Sequence, residues 1–112
     1  MIDPTGKSAL VTGGGHRIGG AMASALASCG VDVCIHYGTS ADKANALAAE
    51  CREKGVNAVT MQADLSVPGA AEQLAARAEE AFGGVDILIN SASTWESGSF
   101  DEVTRDDWDR AL

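Results

Sequence analysis

Short apolar runs alternate with stretches of helical periodicity along most of this chain, and that alternation constrains the fold more than any other feature. Ser8-Ala-Leu-Val-Thr12, Val31 to Tyr37, Asn57 to Gln62 and Val85 to Asn90 each read as a strand. Between them, Gly19 to Ser28 predicts a helix with Met22, Ala25 and Leu26 on its apolar face and Gly30 as its stop. Ser40 is placed to cap a second helix, with Ala44, Leu47, Ala48 and Cys51 on one side and Gly55 at its end. Pro68 falls in the expected first turn of a third, which aligns Leu74, Ala78 and Phe82. Strand and helix in strict alternation predict a parallel sheet joined by right-handed crossover helices. The expected class is a doubly wound α/β sheet of Rossmann type. At 112 residues, with no linker or repeat, the chain has room for one domain.

Sixteen acidic and eight basic residues leave a net charge of −8. Nucleic acid and anionic membrane surfaces reward basic patches, so neither is an expected partner. Ile18 to Val31, the longest stretch without charge, is too short and too rich in small residues to span a bilayer. The first residues carry no secretory pattern. Cys29, Cys34 and Cys51 are odd in number and lack ligand spacing. Cys34 in a strand and Cys51 on a helix face read as buried free thiols in a reducing cytoplasm, and no metal site is expected.

Val11-Thr-Gly-Gly-Gly-His-Arg-Ile-Gly-Gly20 joins the first strand to the first helix. Free backbone N–H groups and the positive end of the helix dipole favour a pyrophosphate there. The common G-x-G-x-x-G fingerprint does not fit, because counting from Gly13 and Gly15 puts Ile18 at its third glycine. The pattern present is Thr-Gly-x-x-x-Arg-x-Gly, from Thr12 to Gly19.

This loop resembles that of the short-chain dehydrogenase/reductase family, with Arg17 where a second glycine usually stands. Asp64-Leu65 matches the family's acidic position after the third strand, which implies a contact with adenine. Asn90-Ser-Ala-Ser93 is similar to its Asn-Asn-Ala-Gly stretch, departing at Ser91 and Ser93. Glu102 to Asp109 is similar to the start of the helix that follows. The resemblance runs along the whole chain and implies a nicotinamide cofactor held by Gly13, His16, Arg17, Ile18, Gly19, His36, Tyr37, Ser40, Asp64, Leu65, Asn90, Ala92 and Ser93. Arg17 reads as a fixed charge beside the phosphates at the mouth of the substrate site, against the plainer alternative of an exposed loop arginine. His16 is open to either a binding or a plain loop role.

NAD enzymes of this architecture place a carboxylate at the end of the second strand, and His36-Tyr-Gly-Thr-Ser40 has none. Asp42 lies inside the next helix. NADP(H) is therefore expected over NAD(H), with its 2′-phosphate received by Ser40, the helix N-terminus and His36. The alternative is that His36 and Tyr37 only finish a strand. His36-Tyr37, Arg17 and Ser91-x-x-x-Trp95 make the pteridine-reductase branch the nearer resemblance, although Thr39 stands where that branch often has arginine. By that resemblance Arg17, Ser93 and Trp95 meet a carbonyl or pterin-like substrate, with Trp95 stacking on its plane. Trp95 packing its own loop is the other reading.

The family's Tyr-x-x-x-Lys pair does not occur in this sequence. Tyr37 is the sole tyrosine and Ala41 stands four residues after it, while Lys7, Lys43 and Lys54 all come early. Val85 to Ile89 is apolar on both faces, which predicts a strand flanked on both sides. A final helix is expected from Thr104, with Trp108, Ala111 and Leu112 aligned and no stop signal. Residues 1–112 are thus expected to be the cofactor-binding half of a longer reductase, with no catalytic residue of their own. The family resemblance implies a homotetramer or homodimer for the parent. A non-catalytic dinucleotide-binding module, an inactive truncated fragment and an interaction protein with a vestigial loop stand as alternatives.

Overall fold

In a computed structural model, residues 5–13 and 17–91 are described. The elements are β1 (Ser8–Thr12), α1 (Arg17–Ser28), β2 (Asp32–Tyr37), α2 (Ala41–Glu53), β3 (Ala58–Gln62), α3 (Ala70–Phe82) and β4 (Ile87–Asn90). The strands form one sheet in the order β3-β2-β1-β4, every pairing parallel. The doubly wound sheet inferred from alternation is therefore the fold. His16, Ala92, Ser93, Trp95 and the helix expected after Glu102 lie outside the described residues.

Each face of the sheet has its own core. Ala9, Val11, Val33 and Ile35 point to one side, where α1 and α2 cover them with Ala23, Ala27, Ala44, Ala48 and Cys51. Leu10 and Cys34 point to the other, against Leu74 and Ala78 of α3. Strand side chains alternate between faces, so the unbroken burial of Ser8 to Thr12 requires helices on both sides. Cys34 and Cys51 are buried, as their positions in the sequence predict.

Four local expectations change. The buried stripe of α1 is Gly19, Ala23 and Ala27, while Met22 is 40% exposed and Ala25 also faces outward. Spacing of four residues puts three small residues in line, letting the helix backbone lie close to the sheet, and Met22 on that face would hold it away. α1 also begins at Arg17, two residues before the expected start. Pro68 precedes α3 rather than lying in its first turn, because Gly69 takes the N-cap in a left-handed conformation. Among the described residues β4 pairs with β1 alone, and Ile87 to Ile89 are only half-buried.

Candidate functional site

Parallel strands deliver their C-terminal ends to one edge of the sheet. In open α/β sheets, ligands bind beyond that edge where the strand order reverses. Here β1 leads to β2 and β3 on one side and has β4 on the other, so the reversal lies between β1 and β4. Thr12 and Asn90 are register partners at that point. The Thr12 hydroxyl donates to Asn90 Oδ1 at 2.9 Å. The Ser91 backbone N–H donates to the Thr12 carbonyl at 3.2 Å, and the Ser91 hydroxyl donates to the same oxygen. The two sequence motifs after β1 and β4 thus meet in space.

Gly13 turns the chain out of β1 with φ 68°, a conformation glycine reaches without steric cost. A Cβ at Gly19 would stand 2.5 Å from the Gly13 carbonyl oxygen and also overlap Ser91 Oγ. Only a residue without a side chain lets α1 start this near β1 and β4. The first N–H groups of α1 have no partner within the helix. Its first turn holds no acidic residue, whereas those of α2 and α3 contain Asp42 and Glu72. Arg17 and Ile18 are exposed at this end, Ile18 by 73%. A Cβ-free close approach, a helix N-terminus and, among the described residues, a cation with no carboxylate in its own turn fit a pyrophosphate.

His36 differs from its expected role. The side chain is buried, and both ring nitrogens are engaged. The Gly13 N–H donates to Nδ1 at 3.0 Å, and Nε2 lies 2.8 Å from the Ala63 carbonyl oxygen. A carbonyl only accepts, so Nε2 carries the proton and Nδ1 the lone pair. Burial pushes the imidazole below its ordinary value of 6.5, with the hydrogen bond to Ala63 opposing that shift. A neutral ring with no spare donor does not receive a phosphate. The expectation that His36 takes the 2′-phosphate is corrected, and Gly13 likewise spends its N–H on His36.

The remaining candidates separate by burial. Tyr37 is half-buried against the core shared by α1 and α2. Gly38 has open space where a side chain would stand. Ser40 occupies the N-cap of α2, but only its carbonyl caps, accepting from Ala44 N–H at 3.0 Å. Asp42 lies inside α2, as expected, in its first turn. Asp64 is exposed, and its Oδ1 accepts from the Ser66 N–H at 3.0 Å and hydroxyl at 2.6 Å. Those two hydrogen bonds, side chain first, hold the Asp64 carboxyl below 3.8. Leu65 packs under this turn against the α3 core. Thr12 and Ser91 were not assigned roles from sequence, and their part rests on contacts across 78 and 79 residues.

Among the described residues, no cluster of His, Cys, Asp or Glu is arranged to hold a metal ion. No helix among them is long and apolar enough to cross a membrane.

A glycine turn feeding a helix at the reversal point of a β3-β2-β1-β4 parallel sheet defines a Rossmann-type, dinucleotide-binding class of protein. The chain belongs to the short-chain dehydrogenase family, whose model matches residues 7–112. It is 39% identical over 107 residues to a versicolorin reductase of Emericella nidulans, covering 96% of this chain and 40% of that protein. A short chain dehydrogenase from Burkholderia cenocepacia, solved in complex with NADP, superposes with a TM-score of 0.80 at 45% identity, over 99% of this chain and 45% of that one. An alternative dihydrofolate reductase from Brucella canis, complexed with NADP, gives a TM-score of 0.74 at 37% identity, over 84% of this chain and 37% of that one. The chain spans about 40% of the length of the curated relatives it matches.

Proposed function

We propose that residues 1–112 form the cofactor-binding half of an NADP(H)-dependent short-chain reductase that passes hydride to a carbonyl or pterin-like substrate. The observation that carries this reading is the convergence of Gly13, Gly19, Thr12, Asn90 and Ser91 at the point where strand order reverses. When bound, the nicotinamide supplies the hydride. The chain's own residues bind and orient it. The N-terminus of α1 and Arg17 hold the pyrophosphate, and the Asp64-Leu65 turn borders the adenine. The ends of β1 and β4 place the nicotinamide. Ile18, His16, Ala92 and Ser93 complete the cofactor contacts in this proposal, and Arg17, Ser93 and Trp95 meet the substrate.

The preference for NADP over NAD rests on a β2 end without a carboxylate, on the open space at Gly38 and on Ser40, whose hydroxyl makes no cap bond. NADP in the solved Burkholderia and Brucella relatives supports it. The pteridine-like branch is supported by the dihydrofolate reductase name of the Brucella protein. A non-catalytic dinucleotide-binding module is the second reading, because the described contacts concern cofactor binding and not turnover.

The test is titration of the full-length protein with NADPH and NADH, followed by NADPH oxidation in the presence of a dihydropteridine or a quinone. Tight NADPH binding with turnover is the expected result. Binding without turnover would favour the module, and failure to bind either nucleotide would overturn both readings. Arg17→Ala is expected to weaken NADPH binding about tenfold, more at low salt than at high salt.

A further inference from the structure

The imidazole of His36 lies between two segments that the sheet itself cannot join. Gly13 follows β1 and Ala63 follows β3, and β2 separates those strands. The β1–β2 ladder ends with Val11 against Ile35, so the N–H of Gly13 lies past its last register pair. His36 supplies the acceptor from within β2 and reaches the Ala63 carbonyl with its other nitrogen. Ala63 in turn donates its N–H to the Tyr37 carbonyl at 3.1 Å. The turn after β1, the end of β2 and the turn after β3 are therefore held as one unit. The buried ring has a single allowed state, with its lone pair on Nδ1 and its proton on Nε2.

We infer that His36 is a positioning residue. It holds the Gly13 turn, and through it the N-terminus of α1, where a bound dinucleotide requires it, while the Ala63 carbonyl fixes the tautomer of the ring. The functional half of this inference rests on the NADP(H) reading above, and the geometric half does not. The ring acts through Gly13: it fixes the left-handed turn whose carbonyl meets Gly19, and so fixes where the helix amides of α1 stand.

Two variants of the full-length protein, each mimicking one ring nitrogen, separate the two ring contacts. His36→Asn keeps an acceptor near the Nδ1 position and loses the reach to Ala63. His36→Gln keeps a donor near the Nε2 position and loses the acceptor for Gly13. Amide hydrogen exchange at Gly13 reads the brace without cofactor, and the NADPH dissociation constant reads its consequence. The Gly13 amide is expected to stay protected in His36→Asn, with NADPH binding within about threefold of wild type. His36→Gln is expected to lose that protection and to bind NADPH about tenfold more weakly. Equal protection and equal affinity in both variants would overturn the inference.

Should both variants unfold, the ¹⁵N shifts of the wild-type ring decide. A protonated Nε2 with a bare Nδ1 supports the brace, and a proton on Nδ1 overturns it. Protection at Gly13 that follows the variants as expected, in a protein that binds no NADPH, would overturn the cofactor reading while leaving the brace in place.

Discussion

Gly19 and the carbonyl of Gly13 stand so close that no side chain fits between them. A Cβ on Gly19 would come within 2.5 Å of that backbone oxygen. Backbone on one side and Ser91 on the other leave nothing flexible enough to absorb the contact alone. Gly19→Ala is therefore expected to destabilise the fold by about 1–3 kcal/mol, the usual cost of overpacking, despite alanine's better helix propensity. Urea denaturation of wild type and variant checks this, and an unchanged midpoint would contradict the close approach.

Thr12 and Asn90 close the edge of the sheet between β1 and β4 through one 2.9 Å hydrogen bond. Thr12→Val keeps the shape and removes the donor, leaving Asn90 Oδ1 without it. The expected loss is about 1 kcal/mol, with Thr12→Ser recovering most of it. If the two variants proved equally stable, the hydroxyl would have no part in joining the strands.

Acid should weaken the fold through His36. The buried ring stays neutral below the pH at which an unfolded chain takes up its proton, near 6.5. Its contribution is complete above that value and is lost as pH falls from 6.5 toward the lowered folded value, because the unfolded state then binds the extra proton. The unfolding constant is expected to rise by at most about tenfold per pH unit from this group. Denaturation midpoints between pH 8 and 5 should fall less in His36→Asn than in wild type. A parallel fall in both would assign the effect to other groups.

The three cysteines should react at different rates. Burial pushes the Cys34 thiol up to about 11, with the charge of Arg77 acting weakly against it. Burial, then Glu50, raises Cys51, against Lys54 and Arg52. Cys29 is exposed. The thiolate is the reactive species, so alkylation at pH 8 should mark Cys29 first and reach Cys34 and Cys51 only on unfolding. Rapid labelling at Cys34 in the native protein would be inconsistent with its place between β2 and α3.

The strands, their parallel pairing and the glycine turn were legible in the sequence because each rests on a local pattern. Apolar runs, helical spacing and glycine positions are set within a few residues. The edges moved by small amounts, as for α1 starting at Arg17, where the first turn depends on a cap rather than on periodicity.

His36 shows where local pattern stops. At the end of an apolar strand, an imidazole is compatible with a phosphate ligand and with a buried brace, and nothing within β2 separates the two. Its partners, Gly13 and Ala63, are 23 and 27 residues away in the chain. The apolar face of α1 is a similar case: Leu26 packs against the core as expected, but helical spacing alone does not choose between Met22 and Ala23 as its neighbour on that face. The sequence by itself determined which segments become strands and helices and where the glycine turn falls. Tertiary packing decided which stripe of α1 faces the sheet and what His36 bonds to, since both depend on how near one backbone comes to another.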